Sequence, residues 1–125
     1  MERENWFLRE YAGELPRKKL AVSTRFRDEN GQVQLWEIRA LSAREERDIG
    51  WMQPRRDRYL AALAAACTLY PDLNRRELQD SYGAMGAADL LGNMLTGDEY
   101  QKFLMEVLEL NGFLKPERGK INGDL

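Results

Sequence analysis

The side chains able to do covalent chemistry in this chain are few, and none stands where a reaction would need it. Cys67 is the only cysteine and histidine is absent, which excludes imidazole acid-base catalysis, thiolate-rich zinc sites and an intramolecular disulfide. Cys67 lies inside the apolar run YLAALAAACTLY, Tyr59 to Tyr70, where a thiol packs as a small hydrophobe rather than reacting. Ser81 precedes Gly83 in SYGAMG, but a hydrolase elbow needs glycines two positions away on both sides and a histidine base. Gly83 and Gly86 also fail as a dinucleotide loop, because no strand precedes them and the remaining glycine is missing. Asp80 or Asp98 would need a raised pKa and a paired acid that their spacing does not supply. No catalytic residue, cofactor or metal is therefore expected, and the chain reads as a recognition protein rather than an enzyme.

Contact chemistry is better represented. Tyr82 and Met85 lie in the glycine corner Ser81 to Gly86, and Met105 falls off the apolar stripe of the last helix. Flexible thioethers suit surfaces that accept varied partners. Trp6 and Phe7, with Leu8 and Tyr11, stand among charges before a break at Gly13 and Pro16. A short amphipathic helix and a docking clip both fit this segment. Its aromatics either tuck against the domain's own core or meet a partner or neighbouring copy. Arg55, Arg56 and Arg58 cluster around Asp57; a solvated helix start explains them, and the sharper reading of an acidic or nucleic-acid partner lacks a second basic patch.

The elements that must position these residues follow from periodicity. Leu20, Val22, Thr24 and Phe26 alternate on a first strand and Trp36, Ile38 and Ala40 on a second, with the turn at Asp28 to Gly31. A two-residue Asn30-Gly31 loop would split the apolar faces, whereas a three-residue loop ending in a left-handed Gly31 puts Phe26, Trp36 and Ile38 on one face. The longer turn is expected. A hairpin alone is marginal in water, so it must lie on helices or be extended by other strands.

Ser42 with Glu45 makes a capping box for a helix fading near Gly50, and Pro54 marks a break. Tyr59 to Tyr70 is apolar nearly all round, the mark of a helix surrounded by protein. Pro71 closes it, and Asn74 with Glu77 would cap a short helix reaching Gln79 or Asp80. Ala87, Leu90, Leu91, Met94 and Leu95 make one amphipathic helix. A Thr96–Glu99 capping box opens the next, striped by Tyr100, Phe103, Leu104, Val107, Leu108 and Leu110 and stopped at Gly112. The expected fold is α+β, an N-terminal antiparallel β-hairpin packed on a mostly α-helical domain of about four to five helices. Residues 1–19 form an N-terminal segment, 20–113 one domain with the hairpin at 20–41 and helices at 42–111, and 114–125 a flexible polar tail.

The chain has 125 residues, 21 acidic and 19 basic, for a formal charge of -2. That length suits one core, and so small a charge supplies no field for steering DNA or an anionic membrane onto the surface. No apolar run approaches the roughly 20 residues of a membrane span, and Met1 opens into charge rather than a signal sequence. A cytoplasmic protein with no export step is expected.

Two segments carry a resemblance to a known family: VSTRFRDENGQVQLWEIRALSAREE, and YLAALAAACTLYPDLNRRELQDSYGAMGAADLLGNMLTGDEYQKFLMEVLELNGF. Over roughly Ala21 to Phe113 the chain resembles the XkdN-like tail assembly chaperones of long-tailed phages and prophages, most densely at YPDL, LQDSYG, Gly86 to Leu91 and LNGF. Between Glu46 and Tyr59, where those relatives carry a longer and often basic insertion, this chain has the short link RDIGWMQPRRDR. The resemblance implies a host-cytoplasmic protein that binds the tape measure protein, keeps it soluble, helps gather the tail tube protein around it, and is absent from the mature virion. It also implies that a longer frameshifted form is often made. Self-association into a homo-oligomeric ring or spiral would suit a protein that coats a rod. On this reading Trp6, Phe7, Tyr82, Met85 and Met105 are the partner-binding candidates. Two rivals stand beside it: a minor tail or head-tail connector subunit retained in the virion, and a small DNA-binding regulator using the arginines.

Overall fold

The computed structural model describes residues 2–113, so the tail expected at 114–125 lies outside the described residues. A short 3-10 helix at Arg3–Phe7 precedes strand β1 at Arg17–Leu20 and β2 at Trp36–Arg39. Helices α1 at Ala43–Met52 and α2 at Arg56–Cys67 follow, then β3 at Thr68–Tyr70, α3 at Arg76–Ser81, α4 at Ala87–Met94 and α5 at Gly97–Leu110. The strands form one antiparallel sheet in the order β1-β2-β3. The fold is α+β, an N-terminal hairpin on a helical domain, as its periodicities predict.

The hairpin tip has the longer turn. Asp28 N–H donates to Gln32 O at 3.0 Å, Gly31 adopts φ 79°, and the Asp28 carboxylate accepts from the amides of Asn30 and Gln32. The first strand, however, is displaced from the expected Leu20 to Phe26 stretch. Regular pairing covers Arg17–Leu20, with Leu20 opposite Trp36 and Lys18 opposite Ile38. Between Leu20 and the tip, local polar groups compete with the ladder. Buried Ser23 takes the Arg25 amide on its hydroxyl oxygen at 3.1 Å, and the Arg25 guanidinium leaves for Met94 O and the Glu99 carboxylate. Trp36 and Ile38 still share the buried face of β2, with Phe26 6.1 Å from Trp36 between ring centroids.

A third strand replaces the expected end of the Tyr59 to Tyr70 helix. The helix stops at Cys67, the Thr68 hydroxyl donates to Ala64 O at 2.8 Å, and Thr68–Tyr70 pairs with Ile38 and Glu37. A β-branched residue beside an open edge of β2 gains more from the ladder than from one further helical turn. The α1 helix also runs two residues past Gly50, which lies beside the Tyr59 ring. Asn74 does not cap α3: its amide donates to Asp72 Oδ1 at 3.0 Å, and the helix starts behind Arg75 without a side-chain cap.

Both capping boxes form, Ser42 with Glu45 and Thr96 with Glu99. At the end of α5, Gly112 takes φ 82° while Phe113 N–H donates to Leu108 O and Gly112 N–H to Glu109 O, a paired closure of the last carbonyls. The core joins Trp36 and Ile38 of the sheet to Leu63 of α2, Leu91 of α4 and Phe103 and Val107 of α5. Trp36 meets Phe103 edge-on at 5.3 Å. These aromatic contacts tie the hairpin to the helices.

Candidate partner-binding surface

The reactive side chains are occupied by structure. Cys67 is fully buried, and burial pushes its thiol up to about 11. Asn111 Nδ2 donates to its sulfur at 3.4 Å. The Ser81 hydroxyl donates to Leu78 O at 2.8 Å in the last turn of α3. Asp80 faces Arg76 at 3.8 Å and Asp98 faces Lys102 at 3.1 Å, each a solvent-exposed pair one helical turn apart. Among the described residues no group of three or more carboxylate or thiol side chains is placed to hold a metal.

The glycine corner is built as its composition demands. Gly83 has φ 63° and Gly86 φ 101°. Gln79 Oε1 accepts from Gly86 N–H at 3.1 Å, and Asp89 Oδ2 accepts from Met85 N–H at 2.8 Å. The corner nevertheless separates its two candidates. Half-buried Tyr82 lines an apolar hollow of about 190 Å³ with Phe26, Leu35, Trp36, Tyr70 and Met94. Met85 is 90% exposed and belongs to a different hollow, between α2 and α4, with Ala61, Ala62 and Ala88. Met105 is exposed on α5, next to Glu106, which pairs with Lys18 of β1. Neither hollow includes it.

The N-terminal aromatics do not tuck into the core. Trp6 and Phe7 are exposed, Phe7 at 86%, and no residue of their 3-10 helix is buried. Their own company is local: Trp6 stands edge-on to Tyr11 at 5.5 Å. Of the expected short helix, the segment forms the five-residue 3-10 helix Arg3–Phe7, without a side-chain cap. The five candidates thus occupy the N-terminal segment, two sides of the corner and the solvent side of α5.

Some exposed apolar groups escape sequence reasoning. Trp51, 88% exposed, and Met52 close α1, while Leu35 and Tyr70 rim the hollow that Tyr82 lines. The only sequence signal at the first pair was two large apolar residues just before the Pro54 break. The second pair becomes adjacent only when β3 is recognised. Arg55, Arg56 and Arg58 form the first turn of α2 and its cap, with Arg55 paired to Asp57 at 3.3 Å.

These exposed apolar sites on a chemically quiet framework coincide with a match across nearly the whole chain. The sequence model of the phage XkdN-like tail assembly chaperone protein family, TAC, matches residues 5–121. The chain belongs to this family. The chain is also similar to the phage-like element PBSX protein XkdN of Bacillus subtilis (strain 168), at 32% identity over 57 residues. That alignment takes in 45% of this chain and 38% of the relative, so the chain matches well under half of the relative's length. Among solved structures, the crystal structure of the protein yqbn superposes with a TM-score of 0.83 at 22% identity, over 91% of this chain and 99% of that one. That likeness speaks for a shared fold, and family membership rests on the sequence match.

Proposed function

We propose that this chaperone-family protein binds the tape measure protein in the host bacterial cytoplasm, keeps its apolar helices soluble, and helps the tail tube protein gather around them. It works by covering apolar surface, without covalent chemistry, and leaves before the virion is complete. The observation that carries this reading is the outward placement of large apolar side chains, Phe7, Trp51 and Met85 above all, on a domain whose thiol is buried and whose Asp80 and Asp98 carboxylates are paired with basic side chains. Scattered apolar side chains on a surface are ordinary, but flexible methionines beside hollows suit docking of apolar helix faces. Several modest sites along one long partner add up through avidity and still allow release. A ring or spiral of copies would extend that coverage along the rod.

Co-expression with the tape measure protein tests this. The native chain keeps the partner soluble by light scattering, and polar replacement of Trp6, Phe7, Tyr82, Met85 and Met105 together lets it aggregate. Unchanged solubility with the replaced chain removes the site assignment. The rival reading, a connector subunit retained in the particle, predicts stoichiometric protein in purified virions by mass spectrometry, where a chaperone is missing.

A further inference from the structure

The N-terminal segment and the hollow that Tyr82 lines lie at opposite ends of the sheet, and each lacks what the other offers. Nothing from Glu2 to Pro16 is buried, and Trp6, Phe7, Leu8, Tyr11 and Leu15 all stand exposed in that stretch. The Ala40 amide donates to Pro16 O at 2.8 Å, and Arg9, Gly13 and Leu15 share a hollow with Arg39 and Ser42. The segment therefore sits where β2 gives way to α1. At the start of β2, Leu35 and Trp36 line the other hollow with Phe26, Tyr70, Tyr82 and Met94, and among the described residues no charged side chain joins them. Exposed apolar side chains are ordinary one at a time, but five within a short segment, none of them packed on the core, make a patch.

We infer that the N-terminal segment of one copy docks on the next copy of this chain, with Phe7 entering the hollow beside Tyr82. The inference rests on the part of the proposed function in which copies assemble along the rod, and it names the contact between them. Size chooses the side chain: an apolar cavity of about 150 Å³ holds one benzene ring, so a hollow of about 190 Å³ takes a phenyl group. Trp6 already stands against Tyr11, whereas Phe7, 86% exposed, has no ring beside it among the described residues. The rings of Phe26, Tyr70 and Tyr82 and the Met94 thioether offer it edge contacts. Area chooses the occupant. A whole aromatic side chain carries roughly 150–250 Å², so the exposed parts of Trp6, Phe7 and Tyr11 come to about 400 Å², or about 800 Å² with the surface they cover. That falls below the roughly 1,200 Å² of a stable pair and belongs with weak contacts that hold when repeated. A second copy supplies the repetition, because every molecule carries one segment and one hollow at opposite ends and so joins a neighbour on each side. Such a head-to-tail series closes as a ring or runs on as a helical filament, according to the rotation between copies.

The test follows the mass of the whole chain by light scattering and sedimentation as it is concentrated. The native chain gains mass. Phe7→Ser removes the inserted ring and Leu35→Lys charges the rim of the hollow; both positions are exposed, so each variant keeps the native thermal midpoint and weakens association at least about tenfold. Mixing the two variants is decisive, because the Leu35→Lys copy retains its segment and the Phe7→Ser copy retains its hollow. The mixture forms one-to-one pairs and nothing larger. Should Leu35→Lys melt early, Tyr70→Ser supplies a second rim variant. A native chain that stays monomeric at every concentration, whether its segment is free or folded back on its own hollow, overturns the contact. So do variants that associate as the native chain does, or a mixture that stays monomeric. The tape measure solubility assay separates the two levels. If the native chain protects the partner while monomeric, the contact is wrong and the chaperone reading stands; if it associates as expected but does not protect, the contact stands and the chaperone reading fails.

Discussion

The backbone amide of Leu41 donates a 2.8 Å hydrogen bond to the side-chain oxygen of Asn111, joining the end of the hairpin to the cap of α5. The same Asn111 amide group donates to Val107 O at 2.8 Å and to the Cys67 sulfur. One side chain therefore ties the hairpin, α2 and α5 together. Asn111→Ala leaves the buried Leu41 amide without its acceptor and lowers unfolding free energy by about 1–3 kcal/mol, measured by urea denaturation. Asn111→Asp retains the acceptor and loses less.

Two carboxylates hold the hairpin to helix starts, and both titrate abnormally low. The Arg39 guanidinium, helped by the Ser42 amide, lowers Glu45 to about 2. Arg25, helped by Ser23 and the Thr96 amide, lowers Glu99 to about 2. Because these folded values lie below the ordinary carboxylate value of 4.5, their stabilisation is fully present above that pH and fades as pH falls towards about 2. Carboxyl titrations by NMR show this directly. Arg39→Gln and Arg25→Gln move Glu45 and Glu99 respectively back up, and each variant flattens the acid limb of the stability curve.

A thiol raised by burial is a clock for opening. At pH 8 Cys67 is protonated as well as covered, so a thiol reagent labels it only when the core opens. Labelling rates rise with urea in step with unfolding and are slow in the native protein. Fast native labelling would show that α2 breathes independently of the sheet.

Gly86, with φ 101° and ψ 162°, occupies a region open essentially to glycine alone. Gly86→Ala destabilises by about 1–3 kcal/mol, read from the denaturation midpoint. Gly92→Ala, in ordinary helix, moves stability the other way. The opposite signs separate a glycine needed by the backbone from one that merely leaves space.

What the sequence made legible is local. Ser42–Glu45 and Thr96–Glu99 carry donor and acceptor within three residues, and Gly31, Gly83, Gly86 and Gly112 announce backbone that other residues avoid. Periodicity likewise placed Phe103 and Val107 inside. What it hid depends on partners far along the chain. Thr68–Tyr70 reads as more of an apolar helix until β2 offers an edge, and β1 at Arg17–Leu20 is masked by charges that protect an outer strand from unwanted pairing. Of the candidate surface, the five residues chosen by type are all at least partly exposed, yet their dispersal and the neighbouring Trp51 depend on three-dimensional placement.

Because Phe7, Met85 and Met105 stand outside the interior that Trp36 and Phe103 organise, the molecule divides into a skeleton and a skin. Replacements in the skin shift folding by no more than about 0.5 kcal/mol. Such a division leaves the exterior free to vary from one relative to the next while the fold is inherited unaltered.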